Sequence, residues 1–322
     1  MSYINDGIEP VVETTHFNSI GVQVFQLIED LEAVGNSSSP RGLLTKEANL
    51  ATLEIDPAYS VMDFAARRFN WKYFAGELAW YLKADPSIDL INHFSSFWKG
   101  ICPDGKANSN YGSLLFKRYP GEYLNQLEWV FNSLVNDKNS RQAVAFFNSP
   151  LFQYDGNRDF VCTMYVNFWI RKDYLDMKVQ MRSNDIFFGL TYDAPWFSTL
   201  MQSMYLNLKE IYPKLKLGMY YHSVDNIHFY RRHFDVANKI LDDGLDSFIK
   251  LNLRKPLFEF IKENEFDNGS NYRLVMTYEA NSFVNMVEDL VDIGLSDDQR
   301  YWKTTLEYLY EISGDTLETS KL

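Results

Sequence analysis

The amino-acid sequence predicts an α+β fold, and two kinds of hydrophobic pattern predict it. Stretches rich in β-branched and aromatic residues, which are typical of neighbouring strands, occupy 143–147, 160–171 and 175–182. Apolar residues recur at helical spacing before this block, at 19–34 and at 74–82. No internal repeat, low-complexity tract or linker interrupts the chain, so we expect a single domain over residues 1–322.

The remaining elements are predicted from the same patterns. The polar segment NSSSPRG ends the first helix, LATLEID alternates as a strand should, and the Gly-, Asn- and Pro-rich segment from Ile101 to Gly112 is typical of a loop. Asp85-Pro86 ends the second helix, which is centred on Glu77. The later pattern predicts a helix at 196–208, a strand at 217–223, and helices at 236–251, 281–293 and 299–312. We therefore expect a core over about residues 20–235 and a mostly helical C-terminal extension over 236–322.

Composition limits the classes of function. The chain is 46% hydrophobic and 16% aromatic, which is typical of a globular protein. Its formal net charge of −12 disfavours binding to duplex nucleic acid, although a few arginines could still bind one nucleotide phosphate. Cys102 and Cys162 form neither a disulfide framework nor a zinc pattern, so we expect no metal. No apolar run approaches the roughly 18 residues of a membrane span and no leader opens the chain, so we expect a cytoplasmic protein.

Two residues stand out within apolar segments. An isolated cysteine such as Cys162 is usually a small core residue, and a catalytic role requires a nearby positive charge that stabilises the thiolate. Arg182, at the end of the next predicted strand, is a candidate for that charge. Glu77 lies inside an apolar helix, where a carboxylate is either exposed on one side or else paired, protonated or functional.

Several weaker signals accompany them. His228 and Tyr230 alternate on one face of a short extended stretch, and Tyr111 lies in the turn-rich NSNYG. Ser140 and Arg141 lie in the turn-rich NDKNSRQ, and SSSPRG around Arg41 could be a phosphate-binding loop. Each signal alone is also typical of a core residue or a solvated loop.

Taken in order, these residues resemble the thymidylate synthase family, and within it the phage deoxycytidylate hydroxymethylases. The resemblance covers about residues 20–235. Four segments carry it: NSNYG at 108–112, FVCT at 160–163, RSNDIFFG at 182–189 and HFYRRH at 228–233. It implies a mixed β-sheet flanked by helices, a homodimer with shared active sites, and a nucleotide monophosphate as substrate. It also implies 5,10-methylenetetrahydrofolate as the one-carbon donor.

The resemblance also assigns roles to residues. It implies that Cys162 is the nucleophile that adds to C6 of the pyrimidine, and that Glu77 orders water and relays protons, with Tyr111 and Asp193 completing the catalytic group. The nucleotide-binding residues that it implies are Arg41, Ser140, Arg141 from the partner subunit, Arg182, Ser183, Asn184, Asp193, His228 and Tyr230. The folate-binding residues that it implies are Trp98, Asp185 and Gly189.

Asp193 is the informative departure from the family pattern. Thymidylate synthases carry asparagine there, and its amide pairs with O4 and N3–H of uracil. A carboxylate accepts a hydrogen bond from N4–H of cytosine, and from N3 when N3 is protonated, while it repels O4 of uracil. We therefore expect that the enzyme makes 5-hydroxymethyl-dCMP from dCMP, which suits a phage that replaces cytosine in its DNA. The chain lacks the short apolar tail of the synthases, which favours water over hydride as the final acceptor.

Alternatives remain open at the level of the sequence. Gln142 stands where the family usually has arginine, which leaves CMP possible as a substrate. Methylation of dCMP and thymidylate synthesis from dUMP are further alternatives. A catalytically inactive nucleotide-binding homologue is possible on the same fold, although it would have no reason to retain Cys162, Glu77 and Arg182 together. An RNA-binding module is disfavoured by the net charge of −12.

Overall fold

The computed structural model describes most of the chain. The described residues are 18–117, 124–248, 260–265, 271–276, 278–294, 302 and 306, with the backbone alone described at 260–265, 271–276 and 278–280. No helix among them is long and apolar enough to cross a membrane.

A seven-stranded mixed sheet forms the centre of the fold. Its strands are β1 (Asn36–Ser38), β2 (Thr45–Ile55), β3 (Val144–Phe146), β4 (Thr163–Arg171), β5 (Tyr174–Met181), β6 (Asn184–Asp185) and β7 (Lys216–Tyr230). They are arranged in the order β1-β2-β7-β5-β4-β3, and β6 pairs with β7. The pairings of β7 with β5 and with β6 are parallel, and the others are antiparallel. The expected α+β fold with a mixed sheet is confirmed.

Helices flank this sheet. They are α1 (Ile20–Val34), α2 (Trp71–Lys83), α3 (Phe97–Ile101), α4 (Tyr111–Phe116), α5 (Gln126–Asn136), α6 (Thr191–Ile211), α7 (Phe234–Asp243) and α8 (Tyr278–Asp292). Three of these helices have an asparagine as the N-cap residue. The side chain of each asparagine accepts a hydrogen bond from a backbone N–H in the first turn, which has no partner within the helix. These caps are Asn70 for α2, Asn110 for α4 and Asn125 for α5.

A tight hairpin positions the cysteine. Strands β4 and β5 pair from Arg171–Tyr174 onward, and the two turn residues Lys172 and Asp173 have the positive φ values of 49° and 63° that a tight hairpin turn favours. The pairing continues to the other end of the hairpin, where Arg182 N donates to Cys162 O over 2.9 Å. The expected neighbourhood of these two residues is therefore present.

Some boundaries differ from the sequence expectations. Strand β2 begins at Thr45 rather than Leu50, and Tyr111 begins a helix rather than lying in a loop. Helix α7 ends at Asp243, since Gly244 follows with a φ of 71°. The helix expected at 299–312 lies outside the described residues, except at 302 and 306, which are helical.

The C-terminal part contains strands as well as helices. Besides α7 and α8, it has an antiparallel hairpin of β8 (Phe260–Glu265) and β9 (Asn271–Met276), where the sequence predicted a mostly helical extension. The segment NYRLVM alternates its larger apolar residues with a period of two, which favours a strand. Helix α8 packs against α2, where Lys83 Nζ and Glu288 Oε1 form an ion pair of 2.7 Å.

Candidate functional site

The candidate nucleophile is in direct contact with a fixed arginine. Nη2 of Arg182 lies 3.5 Å from Sγ of Cys162. The same guanidinium donates to the backbone oxygens of Phe160, over 2.6 Å, and Val161, over 3.1 Å. It also lies over the Phe160 ring, 4.7 Å from the centroid. Because main-chain carbonyls hold the guanidinium, its charge stays beside the sulfur without a bound ligand.

Two opposing effects act on the thiol. Burial raises the pKa of Cys162, and the charge of Asp193 adds to this rise. Arg182 and, less strongly, Arg41 lower that pKa. The arginine therefore acts in the expected direction, but burial outweighs it and the pKa of the thiol lies above its ordinary value.

Two other arginines, Arg41 and Arg141, have no hydrogen-bond or ion-pair partner among the described residues. Arg41 lies in an exposed turn with a φ of 55°, followed by Gly42 at 80°, and it makes no hydrogen bond or ion pair with a described residue. Its charge nevertheless acts on Cys162 and His228. Arg141 is also exposed and makes no such contact within the described chain. Ser140 beside it is buried, and its hydroxyl accepts a hydrogen bond from the backbone N–H of Gln142 over 3.1 Å.

Glu77 is buried and protonatable. It is 6% exposed, which rules out an exposed position on the helix. Its Oε1 accepts a hydrogen bond of 2.7 Å from the hydroxyl of Tyr73, one helical turn earlier. Burial raises the pKa of Glu77 to about 8, although the Tyr73 hydrogen bond opposes the rise, and the charge of Asp193 adds to it. The side chain therefore holds a proton at neutral pH.

Tyr111 joins the neighbourhoods of the cysteine and of Asp193. Its buried hydroxyl accepts a hydrogen bond of 2.8 Å from Thr163, the residue after Cys162. The same tyrosine side chain hydrogen-bonds to Asp193. The ring can reach this position because α4 lies close to α2: a Cβ added at Gly112 would lie 1.5 Å from the backbone oxygen of Tyr81.

Asp193 lies in the first turn of α6 rather than in a loop turn. Its Oδ2 accepts a hydrogen bond of 3.2 Å from Nδ2 of Asn184. Burial raises the pKa of Asp193 to about 7, against the opposing effect of its hydrogen bonds with Asn184 and Tyr111. The carboxyl groups of Glu77 and Asp193 interact electrostatically, and each can take up or release a proton near neutral pH.

A polar network behind Asp193 was not expected from the sequence. Nδ2 of Asn184 also lies 3.0 Å from Nε2 of His222, and Nδ1 of that ring lies 2.6 Å from the hydroxyl of Tyr220. Burial lowers the pKa of His222 to about 3, so the ring is neutral. The alternation that places His228 and Tyr230 on one face of β7 also places Tyr220 and His222 there, and this signal could have identified them.

Gly189 has a packing reason to be glycine. A Cβ added there would lie 1.9 Å from Oδ1 of Asn184 and 3.3 Å from Oδ2 of Asp193. This position lies within a π-helical turn, Ile186–Leu190, which joins β6 to α6. The Asn184 side chain leaves no room for a Cβ at position 189, which explains why this residue is glycine. The resemblance implied a different role for Gly189, a contact with the folate.

Of the remaining candidates, Asp185, His228 and Tyr230 lie on β6 and β7, Ser183 immediately precedes β6, and Trp98 lies on α3. Asp185 pairs with His228 in the register of β6 and β7, and Nδ1 of His228 lies 3.1 Å from Oδ1 of Asn226. The rings of His228 and Tyr230 meet edge to face at 5.2 Å. Ser183 is half-buried and its hydroxyl makes no hydrogen bond with a described residue. Trp98 is buried on α3, with its ring 4.8 Å from that of Trp80.

Asp185 offers an unsatisfied acceptor. Its Oδ1 accepts hydrogen bonds from the backbone N–H groups of Phe187, over 2.7 Å, and Phe188, over 2.9 Å. Its Oδ2 is buried without a partner among the described residues. Such an atom fits a ligand with N–H donors, as a pterin has, so this residue fits a bound folate. In the described part of the chain, no group of three or more His, Cys, Asp or Glu side chains is placed to hold a metal ion.

The mixed sheet, and the residues that it brings together around Cys162, fit the class of one-carbon transferases that act on a pyrimidine nucleotide monophosphate, and a match to a protein family shows that the chain is of this class. Residues 24–284 match the family model described as thymidylate synthase, and the chain belongs to the thymidylate synthase family. The resemblance stated from the sequence is thus confirmed. This family uses 5,10-methylenetetrahydrofolate as its co-substrate.

Several phage enzymes are similar to this chain. The deoxycytidylate 5-hydroxymethyltransferase of Enterobacteria phage T2 is 26% identical over 227 residues, which cover 67% of this chain and 91% of that enzyme. Its counterpart in Enterobacteria phage T4 is 27% identical over 211 residues, covering 62% of this chain and 85% of that enzyme. The deoxyuridylate hydroxymethyltransferase of Bacillus phage SP01 is 27% identical over 281 residues, which cover 83% of this chain and 71% of that enzyme.

Proposed function

We propose that the protein transfers a one-carbon unit from 5,10-methylenetetrahydrofolate to C5 of dCMP, with water as the final acceptor, and so forms 5-hydroxymethyl-dCMP. The observation that carries this proposal is the half-buried carboxyl of Asp193, which Asn184 holds at 3.2 Å beside the candidate nucleophile and Glu77. The similarity to two phage deoxycytidylate 5-hydroxymethyltransferases supports it.

The base is selected by hydrogen bonding to Asp193. Cytosine presents a donor at N4 and an acceptor at N3, so a carboxyl group and the base are complementary when they share one proton. The pKa of Asp193, raised to about 7 by burial, makes this proton available near neutral pH. An ionised carboxylate would instead face the O4 acceptor of uracil, and a buried mismatch of this kind costs on the order of 2–5 kcal/mol.

Cys162 starts the reaction. Its thiolate forms a bond to C6 of the pyrimidine, and the electron pair of the C5–C6 double bond then makes C5 nucleophilic. Arg182, at 3.5 Å, stabilises the thiolate before this bond forms. The folate, when bound, supplies the one-carbon unit that C5 takes up.

Glu77 supplies and removes protons. Because its pKa is raised to about 8, it is protonated at neutral pH and can deliver a proton through water and then recover one. Its hydrogen bond from Tyr73, at 2.7 Å, fixes the direction in which the carboxyl faces.

The nucleotide phosphate is bound by Arg182, Ser183 and Arg41. Arg182 lies 3.5 Å from the cysteine sulfur, the hydroxyl of Ser183 makes no hydrogen bond with a described residue, and Arg41 adds an exposed guanidinium without a partner in the described chain. His228 and Tyr230 hold the sugar. Arg141 is exposed and has no contact within the described chain, which supports its contribution to the second site of a homodimer.

The test compares dCMP with dUMP in the wild type and in Asp193→Asn, with the added group and the sugar identified by the mass of the product. The wild type is expected to prefer dCMP by several orders of magnitude in kcat/KM. The Asn variant is expected to lose most of this activity and to gain turnover or binding of dUMP.

Asp176→Asn is the matched control, because Asp176 is a half-buried aspartate on β5 that accepts a hydrogen bond from the backbone of Met219 over 2.8 Å. It should leave the ratio of the two substrates unchanged. A wild type that prefers dUMP, or a ratio that Asp193→Asn does not alter, would refute the proposed base selection.

The second candidate function is hydroxymethylation of dUMP. The similarity to the deoxyuridylate hydroxymethyltransferase of Bacillus phage SP01, which extends over 83% of this chain, favours it. The same experiment separates the two, since it measures both bases. It also identifies a methylated product, turnover of CMP, or an inactive nucleotide-binding protein.

A further inference from the structure

We propose that Asp159 is a positioning residue, which binds Ser109 and thereby keeps the hydroxyl of Tyr111 in place beside Asp193 and the segment that carries Cys162. This inference rests on the proposed function. It concerns a buried carboxyl group that does not act on the substrate itself but holds the part of the chain from which a catalytic side chain extends.

The carboxyl group of Asp159 joins two irregular segments of the chain. It is 8% exposed and lies three residues before Cys162. Its Oδ1 accepts a hydrogen bond of 2.6 Å from the hydroxyl of Ser109, and its Oδ2 accepts one of 3.0 Å from the backbone N–H of the same residue. Sγ of Cys102 also lies 3.8 Å from Oδ2. Because both oxygens bind one residue, the carboxyl group fixes Ser109 in two directions.

The residue before Ser109 strengthens the same link. Nδ2 of Asn108 donates to the backbone oxygen of Asp159 over 3.1 Å and lies 3.3 Å from Oδ1 of Asn157. The backbone just before it is bound elsewhere, since the N–H of Ala107 donates to the oxygen of Pro86 over 2.8 Å. In the described chain, side-chain hydrogen bonds therefore connect the segment around Ser109 to the segment before Cys162.

The residue after Ser109 fixes the segment to the helix that carries Glu77. Asn110 is fully buried, and its Nδ2 donates to the backbone oxygen of Trp80 on α2 over 3.2 Å. Asp159 binds residue 109 and α2 binds residue 110, so two adjacent residues connect the cysteine segment with the helix of Glu77. Loss of the Asp159 hydrogen bonds would release one side of this connection.

Tyr111 begins α4 directly after this connection. Its hydroxyl accepts a hydrogen bond of 2.8 Å from Thr163, and its side chain hydrogen-bonds to Asp193. Asp159 and Thr163 lie on the two sides of Cys162 along the chain, and each contacts the segment that contains Tyr111. The two contacts together set where the hydroxyl of Tyr111 lies relative to the sulfur.

The charge of Asp159 acts on the thiol in the direction that opposes catalysis. Burial raises the pKa of Cys162 most, Asp193 and Asp159 add to this rise, and Arg182 and Arg41 oppose it. Removing the charge of Asp159 would therefore favour the reactive thiolate. A fall in turnover on this change must then come from the lost position of the segment, because the direct effect on the thiol has the opposite sign.

The experiment measures kcat and KM for the nucleotide that the wild type turns over, and the rate at which iodoacetamide modifies Cys162, located by peptide mass mapping. Asp159→Asn removes the charge and one of the two acceptors for Ser109. Ser109→Ala removes the hydroxyl alone and is the milder variant in case Asp159→Asn does not fold. Each substitution is also combined with Tyr111→Phe. Asp155→Asn is the control, because Asp155 is an exposed carboxylate four residues earlier in the same segment.

We expect kcat to fall at least about tenfold in Asp159→Asn and at least about threefold in Ser109→Ala, with KM within about threefold, since the phosphate and the sugar are bound by other residues. When Tyr111→Phe is already present, either substitution should lower kcat by no more than about twofold more, because the effect passes through that hydroxyl. Iodoacetamide should modify Cys162 in Asp159→Asn at least as fast as in the wild type.

Three results would overturn the inference. They are an unchanged kcat in both single variants, a fall that is equally large with and without Tyr111→Phe or in Asp155→Asn, and a modification of Cys162 that slows in parallel with kcat. The mass of the wild-type product alone decides the proposed function, so the two failures are distinguishable.

Discussion

Glu77→Gln is expected to stabilise the protein at high pH while it abolishes turnover. The pKa of Glu77 rises from 4.5 to about 8 on folding, mainly through burial. The unfolded chain therefore ionises at lower pH than the folded one, and folding stability is lost as the pH rises from 4.5 toward 8. At about 1.4 kcal/mol per pKa unit, the loss is at most about 5 kcal/mol. Glutamine is neutral at every pH and retains an oxygen for the Tyr73 hydroxyl, so the variant avoids this loss.

The assay is urea unfolding of both proteins between pH 4.5 and 9, followed by tryptophan fluorescence. The two free energies of unfolding should agree at the acid end, within about 1 kcal/mol, and diverge up to about pH 8. Tyr73→Phe is the matched variant: it removes a hydrogen bond that favours ionised Glu77, so its stability should decline further with pH. A difference between Glu77→Gln and the wild type that does not vary with pH would show that Glu77 ionises normally.

Two further predictions concern the nucleophile and the dimer. Cys162→Ser should abolish turnover yet leave nucleotide binding within about tenfold, and turnover by the serine variant would contradict the covalent mechanism. Iodoacetamide should modify Cys162 but not Cys102, whose pKa is raised to about 12 by burial and by Asp159. Peptide mass mapping locates the label. Mixing inactive Arg141→Ala and inactive Cys162→Ala subunits should restore activity, because a heterodimer has one site with both residues intact; no recovery after verified subunit exchange would place the whole site within one chain.

The parts of the site that the sequence predicted are those formed by local pairing. The strands around Cys162 and Arg182 are rich in β-branched and aromatic residues, and a two-residue turn joins them. Such a hairpin fixes its own register, so two residues at its open end are neighbours whatever the rest of the chain does. The order of motifs along the chain was sufficient to predict the family.

Contacts between distant segments were not predictable in this way. The backbone of Asn184 pairs in parallel with Ile227 of β7, and its side chain contacts His222, which lies 38 positions later in the sequence. No periodicity in either segment specifies that register. The burial of Glu77 was equally undecided, since its helix could have had one exposed face. In the folded protein every residue of α2 from Phe74 to Leu82 is buried, and α8, from the other end of the chain, is one of the elements that pack on this helix.

The packing of α8 on α2 has a consequence for where the polypeptide can be shortened. Phe283 and Val287 are fully buried and belong to the same hydrophobic core as Trp80 of α2. A fragment ended after residue 277 would therefore expose an apolar surface on the helix that carries Glu77. Expression boundaries set at the end of the catalytic motifs would yield an aggregation-prone protein. Changes in α8, which lies far along the sequence from Glu77, would alter how firmly α2 is held.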